Sequence, residues 1–145
     1  MAISERYGNL FKQDWQSAVV TVNLVGAMGA GIARAARDLN PEMFYWYNRL
    51  CRQGKFRLGD IYYFTQEDGR TFILLPTKVD WRNDATIEYI EKSLAALVET
   101  YKYHHVDSIH IPKLGCRNGG LNWEDVRPVM YKYLEKIPLD ITIMV

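Results

Sequence analysis

The sequence predicts an α/β layer fold with a mostly parallel sheet and one antiparallel hairpin. Three observations point there. Short apolar, β-branched runs alternate with helical patterns along most of the chain. One run, Ala18 to Val25, is apolar almost throughout, as in strands covered on both faces. Glycine-bearing loops also follow strand-like runs just before helices, as βα turns do in open sheets. With 145 residues, 48% of them apolar and 13% aromatic, the chain suits one folded domain over residues 1–145. It contains no repeats, low-complexity tracts or linkers.

Taken in order, Met1 to Tyr7 reads as a short strand ended by Gly8-Asn9, with Leu10, Phe11 and Trp15 as core anchors after it. Ala18 to Val25 is the buried central strand. The first helix runs from about Ala30 to Leu39 and stops at Asn40-Pro41. Pro41 opens a second helix, with Met43, Phe44, Tyr47, Leu50 and Cys51 at helical spacing and Gly54 at its end. Asp60 to Thr65 and Thr71 to Leu75 pair as a hairpin around Asp68-Gly69. After the polar loop Thr77 to Asn83, Asp84 or Thr86 caps the longest helix, whose stripe is Ile87, Ile90, Leu94, Leu97, Val98 and Tyr101. Asp107 to Ile111 is a fifth strand, and Pro112 to Leu121 a second glycine loop. Asn122 caps a helix carrying Val126, Val129, Met130 and Tyr133, and Asp140 to Val145 closes the sheet.

Composition narrows the function classes. A net charge of +1 gives no overall pull toward nucleic acid or membrane, while leaving room for a local basic patch. No apolar run nears the ~20 residues of a membrane span. Cys51 and Cys116 make no disulfide framework, and no signal-peptide pattern opens the chain, so free thiols in a reducing cytoplasm are expected. The three histidines and two cysteines lack zinc spacing; neither metal nor cofactor is expected.

The richest stretch is Asn23 to Arg34, with Gly26, Gly29 and Gly31 between a strand and a helix. Such a turn lets backbone approach a ligand and aims unpaired helical N–H groups at negative charge. Packing alone also produces such turns. The G-x-x-G-x-G spacing is not that of a dinucleotide fold, and no Gly-Lys-Ser/Thr makes a Walker loop. Three loops, Gly26 to Gly31, Pro76 to Asn83 and Pro112 to Leu121, could converge on one crevice at the carboxyl ends of the strands. Two glycine loops before helices suit a diphosphate.

Three blocks carry a resemblance. Val22-Asn-Leu-Val-Gly-Ala-Met-Gly-Ala-Gly-Ile-Ala33, Leu75-Pro-Thr-Lys-Val-Asp-Trp-Arg82 and Pro112-Lys-Leu-Gly-Cys-Arg-Asn-Gly-Gly-Leu-Asn-Trp123 resemble signature blocks of macrodomains. The similar branch holds the DarG antitoxin and the terminal ADP-ribose glycohydrolase. Order and spacing agree from Gly8 onward. The resemblance implies a three-layer αβα sandwich with a mixed, mostly parallel sheet of about six strands that binds ADP-ribose. By that likeness the first loop, with Asn23, Gly29, Gly31 and Ile32, holds the distal ribose and one side of the diphosphate. Gly115, Cys116, Arg117, Asn118, Gly119, Gly120 and Leu121 wrap the phosphates from the other side. Asn9, with Leu10, and Thr77 complete the ligand set. Lys78 matches a lysine essential for removing ADP-ribose in the DarG-like branch. It would attack the opened sugar at C1″ as an amine, which needs a lowered pKa, or stabilise charge as the bond breaks.

The function implied is an ADP-ribosyl hydrolase acting on a modified macromolecule, with a DNA base preferred. A monomer in a bacterial cytoplasm, or in a host's if phage-encoded, is the expected setting. A non-catalytic ADP-ribose-binding module and an ADP-ribose 1″-phosphate phosphatase are the alternatives. Departures from the family pattern are Gly119, where part of the branch has a catalytic Asp, and Gly8-Asn9, where an adenine-contacting Gly-Asp is common. Asn122 often matches an Asp.

Other residues keep two readings. Asn23 either bonds a ribose hydroxyl or braces the loop. Trp81 and Arg82 either contact a base or nucleic-acid backbone, or are a packed aromatic and a solvated arginine. Cys116 reads as loop packing ahead of a nucleophile, His104-His105 as a helix terminus favouring positive charge, and Tyr45, Trp46 and Tyr47 as core and rim. Arg34, Arg37, Lys78, Arg82, Lys113 and Arg117 could form a basic rim.

Overall fold

A computed structural model describes residues 2–145. Strands β1 (Ile3–Arg6), β2 (Ser17–Val22), β3 (Tyr62–Thr65), β4 (Thr71–Pro76), β5 (Ser108–Pro112) and β6 (Asp140–Met144) form one sheet in the order β1-β6-β5-β2-β4-β3. Every neighbouring pair is parallel except the β3–β4 hairpin. Helices α1 (Gly31–Leu39) and α2 (Pro41–Arg52) cover one face, and α3 (Ile87–Thr100) and α4 (Trp123–Leu134) the other. This is the layered αβα arrangement expected.

Strand alternation divides the core in two. Val19, Ile73, Leu75, Ile109 and Ile111 pack against Ile90, Leu94 and Leu97 of α3 and Val126, Met130 and Leu134 of α4. Their sequence neighbours Ala18, Val20, Val22, Phe72 and Leu74 pack against Met28, Ala36, Met43 and Tyr47. Strands buried on both faces read as continuous apolar runs, which is why β2 and β4 were legible.

Several boundaries differ from the sequence reading, each for a local reason. β2 ends at Val22 rather than Val25, and the N–H groups of Val25, Gly26 and Ala27 turn instead to the Asn23 side chain. β3 starts at Tyr62 rather than Asp60, whose carboxylate instead accepts from the Arg57 N–H at 2.9 Å. Thr86, not Asp84, caps α3 through the Tyr89 N–H at 3.1 Å. Asn122 stands at the N-cap of α4, but its side chain makes no capping bond. His104 does end a helix, the short 3-10 turn Tyr101–Tyr103 after α3, but its ring stacks on Tyr63 with centroids 3.7 Å apart, and desolvation, with His105 nearby, pushes its pKa down. The first strand covers Ile3–Arg6; Met1 of the expected span lies outside the described residues.

Candidate functional site

The carboxyl ends of β2, β4 and β5 deliver three loops to one edge. Beyond the last paired residues, Val22 and Pro76, the ladder continues as Thr77 N–H to Val22 O at 3.0 Å and Leu24 N–H to Val79 O at 3.0 Å. The third loop joins the second through Ala85 N–H to Gly119 O at 2.9 Å. It meets the first where a Cβ placed on Gly31 would lie 3.1 Å from Asn118 Nδ2. The three glycine and polar loops expected to converge do so.

Asn23 organises the first loop. Its Oδ1 accepts from the N–H groups of Val25, Gly26 and Ala27 at 3.2, 3.1 and 3.2 Å, and its Nδ2 donates to Ala27 O at 3.0 Å. The residue is 5% exposed, so the bracing role is the one the geometry displays. Beneath it the buried Tyr47 hydroxyl donates to Asn23 O at 2.7 Å, with Asn23 Oδ1 at 3.0 Å. Burial pushes the Tyr47 pKa far up, so the hydroxyl stays a donor. Asn48 Nδ2 adds a bond to Gly26 O at 3.1 Å. Gly26 adopts φ +88°, and a Cβ there would strike that amide at 2.9 Å. Cys51, on the next turn, has its thiol pushed up to about 11 by burial.

Sequence reasoning placed Tyr47 among core and rim aromatics and missed this anchoring. The available signal was a tyrosine in an apolar helical stripe, whose hydroxyl must find a partner when buried.

At the head of α1 the residues Gly29, Ala30 and Gly31 are exposed. No side chain caps the helix and no acidic residue occupies its first turn, so its leading N–H groups face outward without a side-chain acceptor. A Cβ on Gly29 would meet nothing within 4 Å. Ile32, in the first turn, is half-buried against the second core.

The loop after β5 folds on itself. Leu121 N–H bonds Gly115 O at 2.9 Å, and a Cβ on Gly119 would fall 2.5 Å from that same oxygen. Gly119 therefore has no room for the aspartate that part of the branch carries. Gly120 takes φ +78° beside the Asp84 carboxylate. Arg117 and Asn118 are exposed, and Leu121 packs half-buried against the first core. Cys116 Sγ donates to Leu114 O at 3.4 Å and burial raises its pKa, which keeps it a thiol and agrees with the packing reading.

Lys78 leaves β4 at the seam of these loops. Its Nζ donates to Asn118 O at 3.1 Å and Trp81 O at 3.3 Å, which holds the amine between the second and third loops. Thr77 beside it is buried. Asp80 lies close by, but the Arg82 guanidinium grips both its oxygens at 3.0 and 2.9 Å. Those bonds hold its pKa down to about 2, with Lys78 contributing, so it is an ionised carboxylate at neutral pH and no proton donor.

Asn9 and Leu10 follow β1, which runs parallel to β6, β5 and β2 and so ends at the same carboxyl edge, and the 3-10 turn they open packs against β5. Asn9 Oδ1 caps the short 3-10 turn Leu10–Lys12 through Phe11 N–H at 3.0 Å, and Leu10 is buried in the core. Of the basic residues, Arg37 stacks on Phe44 at 4.1 Å, Lys113 lies over Trp123 at 5.9 Å, and Arg82 pairs with Asp80. Among the described residues, no group of three His, Cys, Asp or Glu side chains could hold a metal ion.

A mostly parallel sheet with two glycine loops and a lysine at its carboxyl edge defines an α/β protein of the kind that takes ligands in that crevice. The family model for the Macro domain matches residues 19–130, and the chain belongs to that family. It is 36% identical over 134 residues to the DNA ADP-ribosyl glycohydrolase of Mycobacterium tuberculosis, covering 90% of this chain and 38% of that protein. The chain thus spans about two fifths of the length of such curated relatives. It superposes on the macrodomain of Mycobacterium tuberculosis DarG with a TM-score of 0.93 at 35% identity, covering 99% of this chain and 97% of that one. Against Thermosipho africanus DarTG in complex with ADP-ribose the TM-score is 0.90 at 33% identity, covering 98% of this chain and 41% of that one.

Proposed function

We propose that the chain binds ADP-ribose across its two glycine loops and removes it from a modified DNA base. The observation that carries this reading is the Lys78 amine, held between Trp81 O and Asn118 O where the loops meet. In this reading the outward N–H groups of α1 and the Gly115–Leu121 loop take the diphosphate from its two sides, and Asn9 takes the adenine. The bond between C1″ and the base nitrogen breaks, water supplies a hydroxyl to C1″, and the base leaves with a proton. Lys78 assists at C1″, either as a nucleophilic amine on the opened sugar or as a cation stabilising developing charge. The relatives named for DNA ADP-ribosyl glycohydrolase activity support the substrate. The residues 1–145 act in this reading as one domain and as a monomer, in a cytoplasm.

The test is ADP-ribose release from an ADP-ribosylated single-stranded oligonucleotide. Lys78→Ala should lower kcat by about 10²–10⁴ while ADP-ribose still binds. Borohydride trapping of a lysine adduct selects the amine route; full turnover without any trapped species selects charge stabilisation. Unchanged release by the variant overturns the role of Lys78. Tight ADP-ribose binding with no release from DNA or protein selects the non-catalytic module, and phosphate release from ADP-ribose 1″-phosphate the phosphatase.

A further inference from the structure

Trp81 is not the packed aromatic that its residue type suggests. It is 57% exposed, at the tip of the loop that carries Lys78. The adjoining Val79 is exposed as well. The Arg82 guanidinium lies 5.4 Å from the Trp81 ring centroid, and Asp80 fixes it there with two bonds. The carbonyl of Trp81 touches the Lys78 amine. An exposed indole, a guanidinium lying over its ring, and the candidate reactive amine therefore share one turn of chain.

A solvent-facing indole that belongs to neither core leaves its surface free to meet a ligand. Nucleobases stack on aromatic faces whatever their sequence, and a neighbouring guanidinium suits the phosphate that links one base to the next. We propose that Trp81 and Arg82 form a docking platform for single-stranded nucleic acid, with the nucleotide next to the modified one stacked on Trp81 and its phosphate at Arg82. The proposal rests on the reading of the adjacent crevice as an ADP-ribosyl hydrolase site. It also accounts for a near-neutral protein using a strand as substrate: one stacked base and one phosphate replace a broad basic surface.

Two measurements test it. The first is kcat/KM on an ADP-ribosylated oligonucleotide relative to the ADP-ribosylated free nucleoside. Trp81→Ala should lower that ratio about tenfold, and Trp81→Phe should largely restore it. An unchanged ratio overturns the platform, as does an equal loss on an ADP-ribosylated peptide, which would make the indole a general macromolecular contact. The second is fluorescence anisotropy with an unmodified single-stranded oligonucleotide, which needs no turnover. Trp81→Ala should weaken binding about tenfold, and Arg82→Gln should reduce the log–log salt slope by about 0.7. Equal affinity of wild type and Trp81→Ala overturns the proposal. If neither modified substrate is turned over while the anisotropy result holds, the hydrolase reading fails and the platform stands.

Discussion

Between Asn23 and Gly31 the chain is fastened from outside. Tyr47 and Asn48 reach up from α2, and Asn23 gathers three successive N–H groups onto one oxygen. Between Lys113 and Leu121 its own backbone sets the shape, with Leu121 N–H closing onto Gly115 O and Gly119 against that same oxygen, while Ala85 N–H and the Lys78 amine tie it to the second loop. Both loops present backbone to the same crevice, yet one depends on hydrogen-bonding side chains and the other on the absence of side chains. The two should therefore fail under different substitutions.

The largest effect is expected in the loop shaped by its own backbone. Gly119→Ala puts a carbon 2.5 Å from a backbone oxygen, so the loop must move. Thermal unfolding should register a cost of about 1–3 kcal/mol, and calorimetry about a tenfold weaker ADP-ribose Kd. Gly119→Asp should fare no better, despite restoring a carboxylate found elsewhere in the branch. Full stability and affinity in Gly119→Ala would show that the close approach is not what shapes this loop.

In the externally fastened loop, Tyr47→Phe keeps the ring and removes one buried donor. About 1–2 kcal/mol of stability should be lost, with ADP-ribose binding weakened through the displaced loop. A variant with unchanged melting temperature and unchanged Kd would mean that Asn23 needs no anchor.

Gly29→Ala separates binding from folding. Its φ is not in the left-handed region and no protein atom lies within reach of the new carbon. Stability should stay within ~0.5 kcal/mol of wild type, while ADP-ribose affinity falls about tenfold if the diphosphate comes close to that backbone. Normal affinity would move the ligand away from the first loop.

The smallest effect is on pH dependence. Burial pushes His104 and His110 below their ordinary value, with His105 and Arg6 adding to it. Buried His110 Nδ1 has no hydrogen-bond partner. Below about pH 6.5 the unfolded chain takes up protons that the folded chain resists, so stability present above that pH declines as it falls. Melting curves from pH 8 to 5 should show that decline, and His110→Gln should flatten it.

The sequence made the alternation of elements, the hairpin and the converging glycine loops legible, because each rests on short-range pattern and turn chemistry. It did not reveal that β2 stops before Asn23, since an apolar run does not announce where backbone donors will turn to a side chain. Nor did it reveal the Tyr47 anchor, which bridges residues 24 apart. Gly119 stood out only as a missing aspartate. That it touches Gly115 depends on three-dimensional closure, which spacing alone cannot express.

The two bonds that prolong the β2–β4 ladder, Thr77 N–H to Val22 O and Leu24 N–H to Val79 O, restrict where this chain tolerates insertions and deletions. Adding one residue between Pro76 and Lys78 would turn the amine to the opposite face of the sheet. Length variation is better absorbed at Glu67 and Asp68, the exposed middle of the hairpin turn at the other end of β4, which lies outside the β2–β4 ladder.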